Sequence, residues 1–272
     1  MPLPASQLES GVEQPVRIKF HLLLFKIILA PILIGLVTLA GRRWGPGVSG
    51  WLLGFPLNAA PILFFMLLEQ GPQFTSRAAL GSLMGIIAWA TFNLVYAYCC
   101  LRMPWWWSTF IGWTVYSLLA WLLTTVNLGL LSTYILVCGT LMAIVVALPK
   151  ADFPVSSLVH SGSELWLRMA SASAMIVALT ASARALGPRA SGILSSFPAL
   201  TTILAVFNHH QQPEAAVRVL KGLSASLYTA ATFLVVLSAS LLRFGAVLSF
   251  IFATAAALLV QSVSFFYMRR RW

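Results

Sequence analysis

His209, His210 and Glu214 are the closest the chain comes to a metal-ligating group, and Cys99, Cys100 and Cys138 are its three thiols. Neither set has a workable spacing. Adjacent histidines leave a helix on different sides, no third ligand stands at a matching interval, and the cysteines lie inside apolar runs without metal or redox spacing. His21 and His160 are isolated, and no serine, histidine and carboxylate trio is discernible. The sequence therefore reads as a non-enzyme without metal or cofactor. What remains is binding chemistry. Pro56 and Pro198 each follow a phenylalanine within an apolar run. Each removes the amide that would pair with the carbonyl four residues earlier, at Leu52 and Leu194. Backbone opened at that depth in a membrane is tolerated only where protein or a cavity satisfies it. Candidate substrate-binding residues are accordingly Ser49, Gly50, Phe55, Pro56 and Asn58, with Ser191, Gly192, Phe197, Pro198, Thr201 and Thr202. Arg42, Arg77, Arg184 and Arg218, at the ends of apolar runs, are candidate anion-attracting groups, helped by half-helix N-termini. No Asp or Glu falls inside a span, which argues against a multidrug-cation antiporter with a membrane carboxylate relay.

These residues belong to a stretch that occurs twice. Gly45-Pro46-Gly47-Val48-Ser49-Gly50-Trp51-Leu52-Leu53-Gly54-Phe55-Pro56 aligns with Gly187-Pro188-Arg189-Ala190-Ser191-Gly192-Ile193-Leu194-Ser195-Ser196-Phe197-Pro198 at an offset of 142 residues. Thr38 and Thr180, and Arg42 and Arg184, keep that offset; Arg77 and Arg218, and Gly81 and Gly222, follow at 141. A kept register of this kind is an internal duplication. Pro46 and Pro188 suit a first helical turn. Gly50 and Gly54, matched by Gly192 and Ser196, form small ridges that admit a second backbone at close range.

The elements that position the motif are membrane helices. Sixty per cent hydrophobic and 8% charged residues, with a mean hydropathy of +0.90, exclude an ordinary soluble domain. The net charge of +11 comes from basic residues at the ends of apolar runs, without a basic platform for nucleic acid. Nine spans are expected, at about 20–40, 48–68, 78–100, 105–126, 130–148, 165–186, 191–207, 219–242 and 246–267. Glu69-Gln70-Gly71-Pro72 reads as a stop, and Arg168 counts among the charges near span ends. Residues 1–19 form a polar tail, 20–126 a first four-helix repeat, 127–163 a linker helix and loop, and 164–272 a second four-helix repeat, with Ser161 and Glu164 at capping-box spacing. The expected fold is an all-α polytopic membrane bundle. Because five helices separate the starts of the two repeats, they must run in inverted topology about an axis in the membrane plane. The terminal Arg269-Arg270-Arg271 cluster places the C-terminus on the cytoplasmic side.

The run Ser191-Gly192-Ile193-Leu194-Ser195-Ser196-Phe197-Pro198-Ala199-Leu200, followed by Arg218 before a long apolar span, resembles the GlpM/YdgC-like family of small four-span bacterial inner-membrane proteins. The resemblance covers residues 165–268, and 20–126 through the Ser-Gly and Phe-Pro positions. It implies dual-topology-like units that pair antiparallel, here fused through one inverting helix, and a multi-pass location in the bacterial inner membrane. The family's association with exopolysaccharide production supplies an alternative function. The polar residues after Phe-Pro differ between the two copies, so no substrate carries over.

Together these readings predict a transporter or flippase-like carrier of a small anionic or amphipathic solute, with a central site at paired Phe-Pro kinks. The alternative is a non-transporting scaffold or accessory subunit of an envelope polysaccharide system. Expected partners are the lipid bilayer, a small or lipid-like solute, and a homodimer mate or an envelope-assembly protein, with no nucleic acid.

Overall fold

The computed structural model describes residues 31–56, 59–149, 165–174, 192–193 and 195–269. Among the described residues there is no strand, and the longer helices are α1 (residues 31–44), α2 (Pro46–Leu53), α3 (Ala59–Cys99), α4 (Trp105–Thr125), α5 (Leu130–Ala147), α6 (residues 165–174), α7 (Ala199–Gln211) and α8 (Pro213–Arg269). The polar tail, the 150–164 loop with its Ser161–Glu164 cap, Asn58, Arg184, Ser191 and Leu194 lie outside the described residues.

Among the described residues three helices, α3, α5 and the Pro213–Phe265 stretch of α8, are long and apolar enough to cross a membrane. Their outward faces are apolar: Leu131 and Val146 of α5 and Leu259 and Val263 of α8 are each at least 70% exposed. Thr133, Ser224, Thr229 and Asn93 are buried instead. In lipid, apolar burial no longer drives helices together, and close packing and interhelical hydrogen bonds take over.

Two of the helices turn sharply. α3 bends at Gly71 (φ 81°, ψ 176°) and α8 at Gly245 (φ 75°, ψ −178°), a backbone region essentially restricted to glycine. Each is thus two arms, 59–70 and 72–99 in α3, and 213–244 and 246–269 in α8. The expected stop at Gly71-Pro72 is a corner, and the next arm starts at Pro72, not near Ala78, because proline is well placed in a first helical turn. The arm beginning at Pro213 likewise starts six residues before the expected Val219.

The long arms 72–99 and 213–244 form the centre and run antiparallel. Ser76 Oγ donates to the Ser238 carbonyl and Ser238 Oγ to the Ser76 carbonyl, both at 3.0 Å; Asn93 Nδ2 donates to Ser224 Oγ at 3.1 Å; and Cys100 Sγ approaches the Pro213 carbonyl at 3.7 Å. α5 packs on both long helices through Val137, Leu141 and Ile144, and Tyr134 Oη lies 3.2 Å from Thr232 Oγ1.

A candidate binding site at two helix breaks

The second expected span is two half-helices. α2 ends at Leu53, Gly54-Phe55-Pro56 is non-helical, and α3 begins at Ala59. The seventh is built the same way: residues 192–193 and 195 are helical, Ser196-Phe197-Pro198 is not, and α7 begins at Ala199. A continuous kinked helix was the expectation at both places; the chain breaks instead. Pro198 is the N-cap of α7 and its carbonyl accepts the Thr202 amide at 2.8 Å, while the Pro56 carbonyl accepts the Ala60 amide at 2.9 Å. Each proline therefore opens the following half-helix, where its missing N–H costs nothing. The Leu52 carbonyl, expected to lose its partner, takes the Phe55 amide at 3.3 Å by a tighter turn.

Other carbonyls at the breaks are satisfied from neighbouring helices. The Trp51 carbonyl accepts from the Gly54 amide at 3.3 Å and from Gln261 Nε2 at 3.1 Å. The Ile193 carbonyl accepts from the Ser196 amide at 3.0 Å and from Tyr116 Oη at 2.9 Å. Ser82 Oγ donates to the Gly192 carbonyl at 3.0 Å and lies 2.8 Å from Ser195 Oγ. Unsatisfied, each such group would cost several kcal/mol in hydrocarbon. Tyr116, Gln261 and Ser82 were not among the residues picked from sequence. Gln261 has a signal, as the sole amide side chain of its own apolar run, 246–267; Tyr116 stands in an aromatic-rich span and has none.

The small residues bring backbones into contact across the two halves. A Cβ on Gly50 would overlap the Val219 carbonyl oxygen and lie 3.0 Å from the Leu223 amide nitrogen; on Gly192 it would overlap the Ala78 carbonyl oxygen and lie 2.9 Å from the Ser82 nitrogen. Gly54 faces Ser226, and Gly85 faces Ser196 with its Cβ position 2.8 Å from the Ser196 Cβ.

Between the breaks is a cavity of about 40 Å³. Phe55 and Pro56 wall one side and Ser196, Phe197 and Thr201 another, with Trp89 beside them. Ile86 and Ala230 place it near the middle of the antiparallel pair 72–99 and 213–244. Phe197 is held by an edge-on contact with Tyr116, centroids 5.1 Å apart, and by Trp113 at 5.7 Å. The hydroxyls of Thr201 and Thr202 accept from the indoles of Trp89 at 3.1 Å and Trp113 at 3.2 Å. Among the described residues, no charged side chain lines the cavity.

Of the candidate site residues, Phe55, Pro56, Phe197 and Thr201 meet at this cavity. Thr202 and Pro198 stand behind it, buried. Gly50 and Gly192 serve helix contact, and Ser49 lines a different, smaller cavity with Thr38, Arg168 and Asn208. Arg77 is exposed and Arg42 and Arg218 are half-buried, none of them on the cavity wall. His209 is buried with Nδ1 3.3 Å from Tyr96 Oη, and His210 is exposed; no group of three metal-ligating side chains occurs among the described residues. No protein-family model, curated protein or solved structure matches the chain.

Proposed function

We propose that this chain is an integral membrane transporter or flippase-like carrier of the bacterial inner membrane, and that its solute passes through the cavity between Phe55-Pro56 and Phe197-Pro198. Two GlpM/YdgC-like four-helix units in inverted topology, joined by α5 as the linker helix, give nine spans in this reading. The observation that carries it is the convergence of both Phe-Pro breaks on one cavity. The glycine contacts support the inversion. Gly50 and Gly192 are 142 residues apart, while their contacts Val219 and Ala78, and Leu223 and Ser82, are each 141 apart. Each motif seats on the other unit's long arm, as a twofold axis in the membrane plane requires.

The uncharged, largely apolar lining favours an amphipathic solute over a fully ionised one. At about 40 Å³ the cavity holds only a few waters, so passage needs the half-helices to move about their breaks. The double variant Pro56→Ala/Pro198→Ala tests this in proteoliposomes, with an NBD-labelled phospholipid as amphipathic probe and dithionite quenching as readout. Wild-type protein should accelerate probe exchange over protein-free vesicles, and the double variant should lose about tenfold or more of that rate, since about 1.4 kcal/mol at the barrier suffices. Equal rates for both proteins refute the mechanism.

A further inference from the structure

The two Phe-Pro breaks open on half-helices that are held very differently. α7 is fastened along its length: the hydroxyls of Thr201 and Thr202 take the indole N–H groups of Trp89 and Trp113, and His209 Nδ1 lies 3.3 Å from Tyr96 Oη. The residues 142 positions before Thr201, Thr202 and His209 are Ala59, Ala60 and Leu67, whose side chains carry no polar group. Opposite, the residues 141 positions after Trp89 and Tyr96 are Ala230 and Leu237. Burial divides the same way. Nine of the thirteen residues of α7 are buried, whereas of residues 59–70 only Leu63 is. Phe64 is 43% and Leu68 63% exposed.

The far ends of the two half-helices differ as well. Pro72 and Pro213 match at an offset of 141, but Gly71 precedes the first, at φ 81° and ψ 176°, and Gln212 the second, at φ −155° and ψ 121°. Gln212 caps α7, its amide donating to the Asn208 carbonyl at 2.8 Å. A Cβ at Gly71 would meet nothing within 4 Å. Glycine rotates freely where other residues are confined, and hinges are a few element-terminal residues that absorb such rotations. Residues 59–70 are thus bounded by the break at Pro56 and the corner at Gly71. Pro56 and Ala59 wall the Phe-Pro cavity, and exposed apolar side chains face away from it.

We propose that the solute is a membrane-dissolved amphiphile that enters the Phe-Pro cavity sideways from the bilayer, as residues 59–70 move outward about Gly71 while α7 stays fixed. The inference rests on the carrier reading above and names its solute class and route. A solute taken from lipid sheds no hydration shell on entering an uncharged cavity, and the side that yields is the side with apolar residues outward.

The test bridges each half-helix to its neighbour in the full-length protein, with Cys99, Cys100 and Cys138 replaced, using a reducible bis-methanethiosulfonate. Phe64→Cys/Phe250→Cys ties residues 59–70, where the two rings now stand edge-on with centroids 5.6 Å apart. Tyr96→Cys/His209→Cys ties α7. Exchange of an NBD-labelled phosphatidylcholine in proteoliposomes should fall about tenfold or more when the first pair is bridged and return on reduction. Bridging the second pair should leave it unchanged. Trapped radiolabelled glycerophosphocholine, the water-soluble analogue, should leave no faster than from protein-free vesicles. If the wild type exchanges the lipid and the first bridge does not slow it, or the second does, the route is overturned and the carrier reading stands. Faster release of the soluble analogue overturns the solute class. A wild type that exchanges no lipid refutes the carrier reading and the route with it. Should a cysteine pair fail to fold, pulsed electron paramagnetic resonance in nanodiscs decides, with spin labels at Ile62 or His210 against a reference at Val146. Two distances are expected for Ile62 and one for His210; a single distance for Ile62, or two for His210, overturns the proposal.

Discussion

The crossings at Gly54 and Gly85 can be exchanged by design. At the first, glycine is on the break and serine on the long arm, Gly54 against Ser226; at the second the roles are reversed, Ser196 against Gly85. A Cβ on Gly54 would sit 2.5 Å from the Ser226 Cβ, overlap its hydroxyl, and lie 2.8 Å from its carbonyl carbon. An ordinary contact begins at 3.4 Å, so Gly54→Ser alone must part the helices by about 0.9 Å or distort one of them. We expect it to cost about 3 kcal/mol, the upper part of the range for overpacking. Backbone strain adds nothing, since Gly54 already has helical dihedrals that serine adopts freely (φ −73°, ψ −13°). Ser226→Gly alone should cost about 1 kcal/mol, from lower helix propensity and a lost contact. Its hydroxyl bond to the Leu223 carbonyl, 2.9 Å, lies within its own helix and contributes little. Additivity then gives about 4 kcal/mol for the pair, whereas a swap that recreates the second crossing should cost only about 1. Equilibrium unfolding in mixed detergent–SDS micelles, read by tryptophan fluorescence on all four proteins, measures the coupling. A double variant as unstable as the sum of the singles refutes the equivalence of the two crossings.

Burial at the end of α7, beyond the expected seventh span, holds the His209 imidazole below its ordinary pKa, with the His210 charge adding slightly and the Met103 backbone opposing. A depressed pKa stabilises the fold fully above the unfolded value of about 6.5 and loses that contribution as pH falls below it. Midpoints of unfolding should therefore drop from pH 7 toward pH 5, and His209→Gln should flatten that slope; an unchanged slope counts against the assignment. For sidedness, single cysteines at Trp44 and Leu186, in a background without Cys99, Cys100 and Cys138, should react with an impermeant maleimide from opposite faces of sealed vesicles. Labelling from one face would mean parallel repeats and remove the inverted architecture.

The positions of the disruptions were legible in the sequence because proline acts on its own helix, through an amide it lacks, but a kink was expected where the chain breaks into two half-helices. The glycine ridges were legible for a similar reason: absence of a side chain is a local fact with one common use in membranes. What neighbours supply was hidden. Nothing in the spacing of Tyr116 or Ser82 told that their hydroxyls reach carbonyls 77 and 110 residues away. Arg168 stands near the start of α6, where the sequence puts it, and what the sequence does not show is that α1 and α2 close over it. Between Gly71 and Pro72 the stop was visible but its form was not. Whether a Gly-Pro pair ends a span or turns a corner depends on where the next arm finds its partner.

The exchange of contacts between the two halves also sets a schedule for biosynthesis. Gly50 emerges roughly 170 residues before Val219 and Leu223, the backbone that covers it. At about 5–20 residues per second the early half-helix waits on the order of 10–30 s with its bare ridge unoccupied. Gly192 has no such wait, because Ala78 and Ser82 are already in place when it arrives. The same pair of contacts is thus made in opposite temporal order. The vulnerable moment is the first half's: during that interval its glycine face is open to lipid, to an insertase, or to the long arm of another nascent chain.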